Sequence, residues 1–455
     1  MKKKIRVIAL LLSALICMPF SVIGCKSDQR KFSERVDKVI FQISWLPNDL
    51  KEESFALVKE CGFDMVQLNV YQAGELDSEK CIETIEKCVK NGLKVVPNLR
   101  NAGSGGFFFG DGKLYDSKEN LSKYYQNDDI IAIAMFDEPT YNQMELIADM
   151  IPRFEQNFDK DFIVNLYPEY AGAKEFNGHS YTEYVQHFSD TVLKNLSGRK
   201  WIMTDYYPYL MDMATGQAKD MEDSWLYNYE LMRYSTKDIE DIHVAFYLMS
   251  CSMNGYREPT IKEMRQQLYV GLAFGAEKFG CYTYGKPIGN SYHPDGTISM
   301  VDENTGEPTR IWYAVKQMIS EFRAFEDVYL QYNYNGMKAI DANESYYESK
   351  NDAFKRNPDF ARLKHEIEKF EKIKSVYATQ DTVLSEFFNK DSENAYIAVN
   401  YSDPAYNLSD RIMFEFKDCD SVDVIIKGVK SSLPLTNGVG TVELEPGEGC
   451  MIITK

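Results

Sequence analysis

A chain of 455 residues that is 44% hydrophobic and 13% aromatic can bury a large core, which excludes a disordered protein and allows one large domain with a smaller companion. Its formal charge of −18 argues against nucleic acid or anionic lipid as partners, and loss of Lys2, Lys3, Lys4 and Arg6 with the leader would make the balance more acidic. Nine scattered cysteines, no Cys-x-x-Cys and only five histidines argue against a disulfide framework and a metal site, and no cofactor is implied.

The chain opens on a basic start and an apolar run over 7–23, followed by Val22-Ile23-Gly24-Cys25. These four residues resemble a bacterial lipobox, which implies a signal over 1–25, lipidation of Cys25 and a polar tether over 26–37. Acyl chains would hold a soluble body at a membrane surface, so the expected location is the bacterial cell surface or periplasm. A plain signal peptide or an uncleaved anchor helix is the alternative. No later stretch is apolar enough to span a bilayer.

From residue 36 onward strand-like and helix-like periods alternate. Strands are expected at 41–45, 65–70, 93–99, 130–136, 162–167, 200–206, 243–249 and 278–284. Helices are expected between them at 51–61, 78–90, near 121, and at 142–157, 181–196, 223–234 and 262–274. Cys81 and Cys88, seven apart on one of these helices, share a face and read as packing. A glycine-rich loop at 103–106 lacks the lysine and spacing of a phosphate loop. Eight strand–helix alternations over 38–325 are what a (β/α)8 barrel of TIM type requires, with an open doubly wound sheet as the alternative. Beyond 325 a charged helix over 352–374 and short alternating stretches with turn residues predict a small antiparallel β-sandwich over 326–455 with a helical insertion.

The stretch Ile-Ile-Ala-Ile-Ala-Met-Phe-Asp-Glu-Pro, 130–139, is an unbroken apolar run that ends on two acids. Such a run suits a strand covered on both faces, and Pro139 has no N–H to extend the ladder. Asp137 and Glu138 therefore stand at the C-terminal end of the fourth strand, the end where such barrels concentrate function. The other strand ends offer Trp45, Asn69, Asn98, Asn165, Tyr167, Asp205, Tyr207, Tyr247 and Tyr284. Aromatic faces beside amides and carboxylates suit a sugar, with rings to stack and hydroxyls to bond. Hydrolysis of a glycoside needs one carboxylic acid to protonate the leaving oxygen and a second carboxylate as nucleophile or base. Each of these side chains also has a structural reading: Asp137 as a helix cap, Asp205 as a backbone anchor, the asparagines as partners of loop amides, the tyrosines as packing.

The lipobox, Phe136-Asp137-Glu138-Pro139, Asn165-Leu166-Tyr167-Pro168, Asp205-Tyr206-Tyr207-Pro208 and Glu307-Pro308-Thr309 together resemble exported barrels related to family 42 β-galactosidases, over residues 38–325. The resemblance implies a glycoside hydrolase acting on an oligo- or polysaccharide, with Glu138 as acid/base where that clan has Asn-Glu. It departs at Asp137, which stands for the Asn and puts a like charge beside Glu138. It departs again on the seventh strand, where the clan carries its nucleophile and this chain reads Phe246-Tyr247-Leu248-Met249-Ser250-Cys251-Ser252. Glu258 follows too late and precedes a helix start. Asp205 is the better second carboxylate, as a base in an inverting reaction or as a holder of a substrate hydroxyl. The alternative is a catalytically silent carbohydrate-binding or scaffold lipoprotein. No Gly-x-Ser-x-Gly supports a serine esterase.

Overall fold

The computed structural model describes residues 33–44, 51–68, 71–72, 75–76, 78–97, 127–253, 255–285, 298–302, 304–342 and 357–455. Eight parallel strands form one sheet: β1 Ile40–Ile43, β2 Met65–Leu68, β3 Lys94–Pro97, β4 Ala132–Asp137, β5 Asp161–Leu166, β6 Lys200–Asp205, β7 Ile242–Met249 and β8 Lys278–Tyr282. Their order runs β3-β2-β1-β8-β7-β6-β5-β4. A parallel bridge between Val95 and Ile130 brings its two ends together and closes the barrel. Each strand feeds both of its faces. Phe41, Val66, Val95, Phe162, Ile202, Val244 and Phe279 pack outward against the helices, while Met65, Val96, Ile163, Trp201, Met203 and Ala245 fill the lumen.

The described helices around the sheet are α1 Glu52–Cys61, α2 Ser78–Lys90, α3 Gln143–Asn157, α4 Tyr181–Thr191, α5 Trp225–Thr236, α6 Ile261–Ala273 and α7 Arg310–Arg323. Local chemistry sets several of their ends. Gly62 closes α1 at φ +107°, and Ser180 with Glu183 and Thr260 with Glu263 form reciprocal capping boxes at the starts of α4 and α6. Residues 33–36, read as tether from the sequence, meet the floor of the barrel: Arg35 is buried, donates to Glu277 Oε1 at 2.7 Å and to the carbonyls of Tyr329 and Tyr332, and His243 bonds the other Glu277 oxygen.

After a short α8, Glu326–Tyr329, the chain builds two antiparallel sheets from β9 Asn333–Ile340, β10 Ile373–Ala378, β11 Thr382–Phe388, β12 Asn394–Asn400, β13 Asp410–Phe416, β14 Ser421–Ile426, β15 Val429–Pro434, β16 Val439–Leu444 and β17 Gly449–Thr454. A six-stranded sheet, β9-β11-β12-β17-β14-β15, faces a three-stranded one, β10-β13-β16, across a core that includes Tyr396, Phe414, Phe416, Val424 and Ile452. The outer face of the larger sheet covers α6, which is buried along its length: Gln266 reaches the carbonyls of Asn400 and Ser402, and Gly449 leaves room for the Tyr269 ring. The charged helix expected over 352–374 is corrected. Within the described part of that range only α9, Pro358–Arg362, is helical, and Ile373 already begins β10. The amides of Lys364 and His365 donate to the Glu230 carboxylate of α5 and that of Ile367 to Met337 O, so the backbone is satisfied by the barrel and the neighbouring strand.

Candidate active site

Strand alternation brings two polar side chains to one level of the lumen. Ile163 of β5 and Trp201 and Met203 of β6 point inward, so Asn165 and Asp205, next in the same phase, face the lumen at its C-terminal mouth. Strand β4 reaches that phase through a bulge. Its register passes from Ala134 opposite Ile163 to Phe136 opposite Val164, which leaves Met135 as one residue in excess. Met135 and Phe136 both join the helix-facing core, and Asp137 lands opposite Asn165. Glu138 follows at φ +54°, a left-handed conformation that costs a bulky side chain about 1–3 kcal/mol and clusters at functional sites. Its amide donates to Asn165 O at 2.8 Å.

One amide group joins the two aspartates. Asn165 Nδ2 donates to Asp137 Oδ1 at 3.1 Å and to Asp205 Oδ1 at 2.9 Å, so these oxygens are no farther apart than the two bonds laid end to end, about 6 Å. Asn165 Oδ1 is itself buried and meets no partner among the described residues. Burial, and after it the like charge of Asp137, pushes the Asp205 carboxyl up to about 7; hydrogen bonds from Asn165 and Tyr207 oppose the rise.

Tyr247, level with Asp205 on the neighbouring strand, belongs to a polar cluster. Tyr247 Oη donates to Gln67 Oε1 at 2.5 Å, Gln42 Nε2 donates to the same oxygen at 2.7 Å and to Tyr247 Oη at 3.2 Å, and Ser44 Oγ reaches Gln67 at 3.1 Å. Gly280 permits this arrangement, because a Cβ there would stand 2.5 Å from Cε1 of Tyr247. On one side of the mouth Tyr207 stacks on Tyr282 with centroids 5.8 Å apart and meets Tyr256 edge-on at 6.4 Å. Burial, and then Cys251, Asp205, Asp137 and Glu138, push the Tyr282 hydroxyl up.

Of the residues singled out in the sequence, Asp137, Asn165, Asp205, Tyr207 and Tyr247 converge, with Glu138 beside them. Tyr167 is half-buried, and its backbone is held by tyrosines of α4: its amide donates to Tyr184 Oη, and Tyr181 Oη donates to its carbonyl. Tyr284 does not reach the mouth: it is fully buried in the barrel–helix core, with its hydroxyl donating to Ser54 O at 3.4 Å. Trp45, Asn69, Asn98 and Cys25 lie outside the described residues. Glu258 is engaged by the Arg310 guanidinium of α7, ahead of the capped start of α6. Sequence reasoning passed over Gln42, Gln67 and Tyr184. The first two carry a signal, since each is a lone polar residue inside an apolar strand, Phe41-Gln42-Ile43 and Val66-Gln67-Leu68.

Fold and site together define a (β/α)8 barrel with a cluster of carboxylates, an amide and tyrosines at its C-terminal mouth and an antiparallel sandwich after it. No family model and no curated protein sequence matches this chain. Among solved structures it is similar to a β-galactosidase from the Antarctic haloarchaeon Halorubrum lacusprofundi, at 13% identity and a TM-score of 0.38, over 67% of this chain and 60% of that one. It is also similar to a candidate α-galactosidase from Bacteroides fragilis, at 8% identity and 0.48, over 92% and 79%, and to a β-L-arabinopyranosidase from Geobacillus stearothermophilus, at 9% and 0.44, over 92% and 96%. Likenesses this distant leave substrate and mechanism to be read from the site itself.

Proposed function

We propose that this protein is a retaining glycoside hydrolase in which Asp137 is the nucleophile and Asp205 the acid/base. The observation that carries the reading is the Asn165 amide shared by the two carboxylates. It holds their facing oxygens within about 6 Å, near the separation of about 5–5.5 Å at which retaining enzymes work and short of the 6.5–9.5 Å of inverting ones. Asp205 keeps its proton to about pH 7 through burial and through the charge on Asp137. In the first step Asp137 attacks the anomeric carbon while the bond to the leaving oxygen breaks and Asp205 gives that oxygen its proton. In the second, Asp205 takes a proton from water, whose oxygen displaces Asp137 and frees the sugar. Glu138, turned by its left-handed backbone, takes a hydroxyl of the substrate, and the Tyr207–Tyr282 pair offers a ring face.

The motif resemblance to family 42 β-galactosidases supports a sugar substrate, while its acid/base role for Glu138 passes here to Asp205. The mature chain is proposed to be lipidated at Cys25 and held at the bacterial cell surface or in the periplasm. Loss of radiolabelled palmitate from Cys25→Ala tests this. Among the described residues no helix is long and apolar enough to cross a membrane. A second reading, a sugar-binding lipoprotein without turnover, draws on the seventh strand, which ends on Met249 and is followed by buried Ser250, without an acid. Turnover of aryl glycosides and oligosaccharides by the wild type, Asp137→Asn, Asp205→Asn and Glu138→Gln separates these. The expected result is loss of at least about a thousandfold in kcat for both aspartate variants and a smaller loss, mostly in KM, for Glu138→Gln. A dead Glu138→Gln beside an active Asp205→Asn overturns the assignment, and saturable binding without turnover in the wild type selects the second reading.

A further inference from the structure

Helix α5 starts without a side-chain cap from its own N-cap residue. Ser224 occupies its N-cap, where a serine oxygen ordinarily accepts an amide of the first turn, yet its side chain makes no such bond. The Ser224 hydroxyl instead meets Tyr206 Oη at 2.7 Å, and the Ser224 amide donates to that same oxygen at 3.2 Å. The free amides of the first turn are taken by Asp359 of α9, 133 residues after Leu226: its Oδ2 accepts from Leu226 N at 2.9 Å and its Oδ1 from Tyr227 N at 3.3 Å. Tyr401 Oη, from the end of β12, donates to Asp359 Oδ2 at 2.5 Å. Three residues on, Arg362 pairs with Glu169 of the loop after β5 and with Asp223 of the loop after β6.

The arrangement bears on the reacting pair because Tyr206 directly follows Asp205 and is fully buried. The Ser224 oxygen makes the Tyr206 bond and no bond to the first turn of α5, whose amides Asp359 takes. We propose that Asp359 is a positioning residue of the active site: by capping α5 from the C-terminal region it leaves Ser224 to Tyr206, and Tyr206 fixes the backbone that carries Asp205. The inference rests on Asp137 and Asp205 being the reacting carboxylates. The sandwich region is therefore part of the catalytic frame.

The test uses the full chain as wild type, Asp359→Ala, Asp359→Asn, Tyr206→Phe and the double variant Asp359→Ala/Tyr206→Phe. Hydrogen exchange is followed in the peptide spanning 205–211. Asp359→Ala and Tyr206→Phe should each speed exchange there, with the double variant no faster than the faster single one. Additive increases, or an unchanged rate in Asp359→Ala, overturn the proposal. On an aryl glycoside, Asp359→Ala should lose about tenfold or more in kcat with KM moved by less than about threefold, and Asp359→Asn, which keeps an acceptor oxygen, should recover most of the loss. A folded Asp359→Ala that melts earlier but keeps wild-type kcat also overturns it. Should the wild type hydrolyse no glycoside, the functional reading falls and the exchange cycle alone decides on the brace.

Discussion

Asp205 is held where its charged form is disfavoured, so removing its charge should stabilise the protein while abolishing its activity. A carboxyl carried from 3.8 to about 7 corresponds to at most about 4 kcal/mol, at about 1.4 kcal/mol per decade of proton affinity. Part of Asp205 reaches solvent at the mouth, so about half that figure, about 2 kcal/mol, is expected. The sign follows from proton uptake. Between about pH 4 and 7 the folded chain holds a proton on Asp205 that the unfolded chain has lost, so wild-type stability declines as pH rises through that window. Asp205→Asn titrates in neither state and does not share the decline. Thermal unfolding of both proteins at about pH 4.5 and pH 8 measures the difference: near coincidence at the lower pH, and a variant melting about 2–4 °C higher at the upper one. A variant that tracks the wild type with a constant offset at both pH values refutes the placement of a buried, reluctant charge at this position.

Three further outcomes are expected. Asn165→Ala removes a donor that favours ionised Asp205, so the basic limb of the kcat/KM profile should move up by about 1–2 pH units, the equivalent of about 1.5–3 kcal/mol for a hydrogen bond to a charge; a limb that moves down contradicts the sign. Gly280→Ala drives a methyl into the Tyr247 ring, which should cost about 1–3 kcal/mol in a denaturant midpoint and lower kcat as Tyr247 leaves Gln67. Arg35→Ala strands a buried carboxylate. Burial pushes Glu277 up, but Arg35 and His243 outweigh it and hold the carboxyl at about 2, so the loss should be about 3–5 kcal/mol at neutral pH, and the wild type should surrender this contribution as pH falls from about 4.5 toward 2.

The barrel was readable because a strand covered on both faces writes itself as a predominantly apolar run, and eight such runs alternate with amphipathic stretches. The mouth was readable in outline for the same reason: Asn165 and Asp205 follow strictly from alternation along β5 and β6. Which acid of the Asp137–Glu138 pair faces the lumen was not readable. Regular alternation would send Phe136 and Glu138 inward, and the single extra residue at Met135 reverses the phase. A bulge has no composition of its own, since it depends on how the partner strand is shifted. The brace at Asp359 escaped for a different reason, because its partners at Leu226 and Tyr227 are far away in sequence and a cap supplied at that distance leaves no local motif. The stretch 363–372 reads as helical from its charge pattern, yet Glu230 and Met337 take the amides of Lys364, His365 and Ile367. Tyr284, placed at the mouth by its position after the eighth strand, is claimed by the core instead.

The buried guanidinium of Arg35 decides where a shortened form of this protein can start. Cutting at the first strand, the natural boundary by pattern, would deprive the Glu277 carboxylate of Arg35 and would uncover the carbonyls of Tyr329 and Tyr332. Asn333 of the sandwich would lose Ser33 O as its acceptor by the same cut. Residues 33–36 thus tie the barrel to the sandwich, and a piece that begins at Ser33 keeps these bonds.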